Sequence, residues 1–334
     1  MGRPLFHPPE YLPEGSHRLV RGDFLSIVKT DVPMTSALCG DILEELARVY
    51  PFCTLKTIGQ TAFGRPLRAL VIGDGPRQVL FTAAHHANEW LTATVLLKFA
   101  EELARALAQD TSIWGVPAAT FREQITVHLV PMVNPDGVDL VTGAIAPGSA
   151  EYEAARLLSE NYPSIPFPNG WKANLLGVDL NLQYPAGWLK AREIKFSQGF
   201  TRPGPRDYVG RAPLDQRESR ALAEYTEEVD PRLVLAYHSQ GEVIYWQFEE
   251  YQIPGAQALA EDFARVSGYR MEDTPYESSY AGYKDWFIRH FRRPGFTIEV
   301  GTGENPLPIQ QFEEIYRDNL GILVTGATGL PGGA

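Results

Sequence analysis

The stretch that decides the fold is Gln78-Val-Leu-Phe-Thr-Ala-Ala84, followed directly by His85-His86-Ala87-Asn88-Glu89-Trp90 and then by a long helical pattern over residues 92–108. The first run is apolar without alternation, as a strand covered on both faces is. The last repeats its apolar residues at helical spacing. A polar cluster therefore sits where a buried strand hands over to a helix. His86 and Glu89 are three residues apart, so a tight turn or helix start can aim both at one point. An imidazole with a carboxylate suits zinc, although His-x-x-Glu also occurs on ordinary surfaces. His85, four residues from Glu89, is a rival ligand by spacing alone.

Outward from that stretch, further strand candidates lie at 55–59, 67–73, 125–131, 233–239, 242–248 and 295–301. Helical patterns occupy 36–50, 150–161, 214–229, 254–268 and 308–320. Strands alternating with helices place the chain in the α/β class, a sheet covered by helices on both faces. Ligands of such sheets gather beyond the carboxyl ends of the strands. Residues 1–35 are expected to be an irregular, Pro-rich extension, 36–325 a single domain, and 326–334 a flexible Gly-rich tail. The stretch 133–213 is dense in Gly, Pro, Asn and aromatics, and so long a loop is uncommon unless it carries function. Within it, Asn134-Pro135-Asp136-Gly137 is a turn signal.

The 334 residues carry 30 Lys plus Arg against 41 Asp plus Glu, a formal charge of −11. That balance argues against nucleic acid as partner, which calls for a clustered basic excess, and against an acidic membrane surface. No run approaches the roughly 18 apolar residues of a membrane-spanning helix. The start lacks the apolar core of a signal peptide, which suggests a cytoplasmic protein. Cys39 and Cys53 are the only cysteines, too few for a disulfide scaffold and expected to be reduced thiols.

Two further segments carry ionisable residues at strand ends, and a third lies in the long loop. His238 closes the apolar run Leu235-Ala236-Tyr237. It is either a core histidine satisfied by a hydrogen bond or a third ligand. With His86 and Glu89 it would make two imidazoles and a carboxylate, leaving a fourth zinc position open for water. Glu299 sits on Phe296-Thr297-Ile298, where a carboxylate is costly without a partner. It either pairs with Arg292 or Arg293, or serves as a general base near the metal without binding it. Lys172, in Gly170-Trp171-Lys172-Ala173-Asn174, is a surface lysine or a stabiliser of the negative oxygen formed when water adds to an amide carbonyl. Lys190, Arg192, Lys195, Arg202, Arg206 and Arg211 read first as a solvated face, and alternatively as local positive charge for an acidic substrate.

Taken in order, His86-x-x-Glu89, Asn134-Pro-Asp-Gly137, Gly177-Val-Asp-Leu-Asn181, His238-Ser239 and Glu299 resemble the zinc carboxypeptidase family over about residues 50–320. The resemblance implies a mixed, mostly eight-stranded sheet with helices on both faces. It implies one Zn²⁺ per chain held by His86, Glu89 and His238, with Glu299 as general base. It puts Lys172 where the family has the arginine that polarises the scissile carbonyl, and makes Asn181, Ser239 and Tyr283 substrate contacts. Two departures stand out. Leu182 occupies the place of the arginine that grips the substrate's terminal carboxylate, a bidentate role that leucine cannot fill. The family's active-site tyrosine falls at Ile288, with Tyr280 or Tyr283 as its substitutes.

The phrases at 85–90, 171–174, 281–288 and 299–308 resemble one branch, the bacterial γ-D-glutamyl-L-diamino acid endopeptidases. That branch implies hydrolysis of the γ-D-glutamyl–meso-diaminopimelate amide in peptidoglycan stem peptides. The peptidoglycan-derived partner would be a soluble muropeptide inside the cell, with spore or wall association as a variant. An ordinary zinc carboxypeptidase, and an inactive muropeptide-binding module, are the alternatives.

Overall fold

Strands that are apolar on both faces need cover on both sides, and the helices of this chain supply it. The computed structural model describes residues 26–329. Helix α1 (Ser36–Val49) precedes the hairpin β1 (Cys53–Gln60) and β2 (Pro66–Ile72), and β3 (Arg77–Ala83) feeds α2 (Leu91–Gln109). A short ribbon of β4 (Ser112–Ile113) and β5 (Val116–Pro117), then α3 (Ala118–Gln124), leads into β6 (Ile125–Val130). Helices α4 (Pro135–Val141), α5 (Ala150–Ser159) and α6 (Trp188–Ser197) punctuate the loop-rich stretch before α7 (Arg217–Val229) and β7 (Val234–His238). Last come β8 (Val243–Tyr245), α8 (Ala256–Ser267), β9 (Arg270–Glu272), α9 (Tyr283–Phe291), β10 (Gly295–Glu299) and α10 (Phe312–Thr328).

Eight of these strands form one mixed sheet in the order β1-β2-β6-β3-β7-β10-β8-β9. At its centre β6, β3, β7 and β10 run parallel, so their carboxyl ends share one rim. Alternate residues face opposite layers, as the pleat requires. Val79, Phe81 and Ala83 of β3 and Leu235 and Tyr237 of β7 join the core beneath α1, α2, α8 and α10. Leu80, Val234 and Ala236 turn the other way, toward α7 and α9. From β3 the chain passes through α2 to β6 on one side, whereas β7 lies on the other. That reversal opens a crevice at the carboxyl ends of β3 and β7, where α/β sheets bind their ligands.

Three local outcomes differ from the sequence-based expectation. Asn134-Pro-Asp-Gly opens a helix rather than a turn: Pro135 takes the first helical position, and the Asn134 side chain accepts from the Gly137 N–H. Proline and an Asn cap serve helix starts as well as turns. Helix α10 runs on to Thr328, past the expected end near 320. Its glycines suit close packing: a Cβ at Gly326 would stand 2.9 Å from Leu235 Cδ1, and one at Gly321 2.9 Å from Trp114 Cζ2. Helix α6 has no helical signature in the sequence, because its apolar and charged residues are mixed around the whole turn. The start of the expected tail, 326–328, is helix rather than flexible chain, while residues 1–25 of the expected extension and 330–334 of the tail lie outside the described residues. Cys39 and Cys53 are free and buried, and burial pushes both thiols up to about 12. Among the described residues, no helix is long and apolar enough to cross a membrane.

Candidate metal centre and active site

At the end of β3, Ala84 takes a left-handed backbone conformation (φ 48°) and turns the chain out of the sheet. The Thr92 hydroxyl accepts from the Ala84 N–H at 3.0 Å and donates to the Glu89 carbonyl at 2.7 Å. This clasp fixes the single 3₁₀ turn Ala87–Glu89, and with it both acid and imidazole. His86 Nδ1 lies 2.9 Å from Glu89 Oε1. His238 Nδ1, arriving at the end of β7, lies 2.9 Å from Glu89 Oε2 and 3.2 Å from His86 Nδ1. His86, Glu89 and His238 are thus brought together, their ligand atoms all within 4.8 Å.

These residues fit zinc. Ligand atoms of a tetrahedral site with bonds near 2.0–2.1 Å stand about 3.3 Å apart, close to the separations found. The far side of the His86 ring is held too, with Nε2 3.2 Å from Asp179 Oδ1. Such a carboxylate fixes the tautomer and leaves the lone pair on the metal-facing nitrogen. His238 Nε2 is buried without a partner. His85 is not a rival ligand. It is wholly buried, its Nε2 lies 3.2 Å from the Tyr184 hydroxyl, and its ring stacks on that of His238 at 5.5 Å.

Strand β10 places Glu299 directly opposite His238 in the parallel register. Neither arginine expected as an ion-pair partner reaches it. Arg292 lies over the Tyr251 ring at 3.9 Å, and Arg293 pairs with Asp230 at 2.7 Å. Burial, then the negative charge of Glu89, pushes the Glu299 carboxyl up to about 8, against the pull of Lys172 and His86. Lys172 is not a solvated surface residue: its Nζ lies 3.0 Å from Glu89 Oε1, and its side chain is 18% exposed.

The loop segment carrying Lys172 is tied to the His86 turn by backbone and side-chain bonds. Ala87 N–H donates to the Lys172 carbonyl at 3.0 Å. The Asn134 amide donates to the carbonyls of His85 (3.1 Å) and Ala173 (3.0 Å). Gly137 completes the junction by being small. A Cβ there would stand 2.5 Å from the Ala173 carbonyl oxygen and 2.8 Å from the Ala87 methyl.

The expected substrate contacts separate. Asn181 is on the wall of a cleft beside His86, where its Oδ1 accepts from the Tyr283 N–H at 3.0 Å. Ser239 donates its N–H to Glu89 Oε2 at 3.3 Å and its hydroxyl to Asn305 at 2.8 Å, so it braces the acid. The expectation for Tyr283 is corrected: it has no exposed surface, and its hydroxyl lies 2.9 Å from that of Thr226 in the core behind α9. Tyr280 is half-buried, its ring packed on Phe248. Two residues of the site were not singled out from the sequence. Asp179 lay inside a quoted motif, but nothing in its spacing says that it faces His86. Arg206 was pooled with five other basic residues, and only folding brings it to the same cleft as Lys172, Asn181 and Leu182.

The sequence pattern of the family described as zinc carboxypeptidase matches residues 40–321. The chain is 44% identical over 291 residues to gamma-D-glutamyl-L-diamino acid endopeptidase 1 of Lysinibacillus sphaericus, covering 87% of this chain and 71% of that protein. It is 38% identical over 283 residues to the uncharacterized protein YqgT of Bacillus subtilis, covering 84% and 73%. In three dimensions it is similar to carboxypeptidase A from Helicoverpa armigera, with a TM-score of 0.68 at 18% identity, over 89% of this chain and 73% of that one.

Proposed function

The chain belongs to the zinc carboxypeptidase family and is a zinc metallopeptidase, and from that premise we propose that it hydrolyses the amide between the γ-carboxyl of D-glutamate and meso-diaminopimelate in peptidoglycan stem peptides and muropeptides. The observation that carries the reading is the convergence of His86, Glu89 and His238, with Glu299 and Lys172 beside them, in a chain 44% identical to an endopeptidase of that type.

His86 and His238 would hold one zinc through Nδ1 and Glu89 through its carboxylate, the second acid, Glu299, staying outside the ligand set. When bound, zinc supplies Lewis-acid polarisation of the carbonyl and activation of the attacking water. Glu299 takes the proton from that water and delivers it to the leaving amine. A base that must also act as an acid works best with a pKa near the operating pH. Lys172 places a positive charge beside the developing oxyanion. A lysine keeps the charge of the family's arginine without its planar fork. Asn181 and the cleft wall orient the substrate, while Ser239 and Asp179 hold Glu89 and His86 in place.

One observation favours a second reading, a carboxypeptidase acting on ordinary peptides: a guanidinium, Arg206, does line the cleft near Leu182. The test is incubation with purified L-Ala-γ-D-Glu-meso-diaminopimelate tripeptide and with ordinary peptides ending in a free acid, products being identified by mass. Release of the diamino acid from the tripeptide, with ordinary peptides untouched, is expected. The reverse pattern establishes the carboxypeptidase.

A further inference from the structure

The Leu182 substitution removes the arginine by which the family grips a substrate carboxylate, yet the cleft is not left without a cation. Arg206 and Lys195 enter it from the loop after α6 and from α6 itself. Both lean on one carboxylate. Lys195 Nζ lies 2.7 Å from Asp207 Oδ1, and Arg206 Nε lies 2.6 Å from Asp207 Oδ2. Two cations thus share the Asp207 carboxylate, with the charges of Asp179 and Glu89 farther off. The Lys195 side chain is 7% exposed, whereas that of Arg206 is 41% exposed. Only the Nε of Arg206 is engaged. Among the described residues, its two terminal amino groups have no hydrogen-bond partner. A guanidinium anchored through Nε and free at its outer edge is suited to a two-pronged grip on a carboxylate.

The position of that guanidinium is not accidental. Asp207 donates its backbone N–H to Asp179 Oδ2 at 3.2 Å, and Asp179 in turn holds His86 Nε2. On the other side of Arg206, Pro205 accepts from the backbone N–H of Lys172 at 2.7 Å and of Ala173 at 2.9 Å. The loop carrying Arg206 is thereby registered to the metal ligand and to the oxyanion lysine at once. Leu182 lines the same cleft.

We infer that Arg206, positioned by Asp207, binds a substrate carboxylate next to the scissile amide and sets the specificity of the site. The inference rests on the γ-glutamyl endopeptidase reading. A γ-D-glutamyl–diamino acid substrate offers two such groups, the α-carboxylate of D-glutamate on the acyl side and the carboxylate of the diamino acid on the amine side. Both have the same chemistry, so the experiment separates them. The tripeptide L-Ala-γ-D-Glu-meso-diaminopimelate is prepared in three forms: free, amidated at the glutamate α-carboxylate, and amidated at the diamino acid's L-centre. Each is assayed with the wild type, Arg206→Gln, Arg206→Lys and, as a surface control, Arg202→Gln. The same peptides are titrated calorimetrically into a Glu299→Gln background to read binding apart from turnover.

A hydrogen-bonded charge pair contributes about 1.5–3 kcal/mol, so Arg206→Gln should lower kcat/KM on the free tripeptide about 10- to 100-fold. Amidation of the recognised carboxylate should cost the wild type the same factor and leave nothing further for Arg206→Gln to lose. The form on which the two losses coincide identifies the carboxylate. Arg206→Lys should recover part of the loss, and Arg202→Gln should match the wild type. An equal loss for Arg206→Gln on all three forms, or no loss at all, overturns the assignment while the endopeptidase reading stands. Failure of the wild type to cleave or bind any form overturns the reading and the assignment with it.

Discussion

Glu299 is a carboxylate held where few carboxylates are tolerated: at the end of an apolar strand, with no hydrogen-bond partner among the described residues and with Glu89 as an anionic neighbour. Replacing it by glutamine keeps the shape and removes the proton shuttle. Glu299→Gln should lower kcat about 10²- to 10⁴-fold while leaving zinc content unchanged, read from steady-state rates alongside metal analysis. A loss of zinc in this variant would make Glu299 a ligand instead. At this scale the sequence was most informative where chemistry is rare. A histidine or an acid at the end of an apolar strand is conspicuous, and that signal singles out His86, His238 and Glu299, which the fold brings to one place. Arg206 is not singled out, because one arginine among six basic residues looks like solvated surface until the loop's hydrogen bonds aim it. Tyr283 was misjudged for the converse reason: a tyrosine near the site by sequence has its ring in the core and its hydroxyl on Thr226.

The elements that matter for the site are short, and two of them are joined by one side chain. Asn134 caps α4 through Oδ1 and, through its amide, ties α4 to the His85 and Ala173 carbonyls. Asn134→Ala therefore removes a cap and strands two buried carbonyls. The expected destabilisation is about 2 kcal/mol, measured by urea unfolding, together with a fall in kcat as the loop carrying Lys172 loses its anchor. A stability loss with unchanged kcat would limit Asn134 to capping. The long elements were legible from periodicity alone: β3, α2, β6, α7, β7 and β10 lie within a few residues of their expected bounds. The 133–213 stretch was not, since Asn-Pro-Asp-Gly suits a turn and a helix start equally. Tertiary bonds from Asn134 decide between them.

At the scale of the whole molecule, one buried acid away from the metal ligands links stability to pH. Glu218, at the start of α7, is 1% exposed, and its Oε2 has no partner. Burial, opposed chiefly by a backbone hydrogen bond, pushes its carboxyl up from 4.5 to about 7. A raised carboxyl pKa means that the folded state holds its proton longer than the unfolded chain does. Its contribution to stability is then fully present below about 4.5 and is lost as the pH rises through about 7. Thermal unfolding of the wild type should fall between pH 5 and pH 8 by more than that of Glu218→Gln. Parallel pH profiles would show that Glu218 is already ionised in the fold. The alternation of strands and helices made the α/β class legible, and the family resemblance implied a mixed, mostly eight-stranded sheet, whereas the strand order behind the β3–β7 crevice was not legible, since no local pattern encodes which strands become neighbours.

That crevice gathers residues more than 150 positions apart around one point, and the account depends on their gripping a single cation. The direct measurement is to strip the protein with a chelator and titrate zinc back while following cleavage of the tripeptide. Activity should be absent at the start, rise in proportion to added zinc and level off at one equivalent, and His238→Ala should neither bind the equivalent nor recover. Full cleavage by the stripped protein, or an undiminished zinc equivalent in His238→Ala, would contradict it.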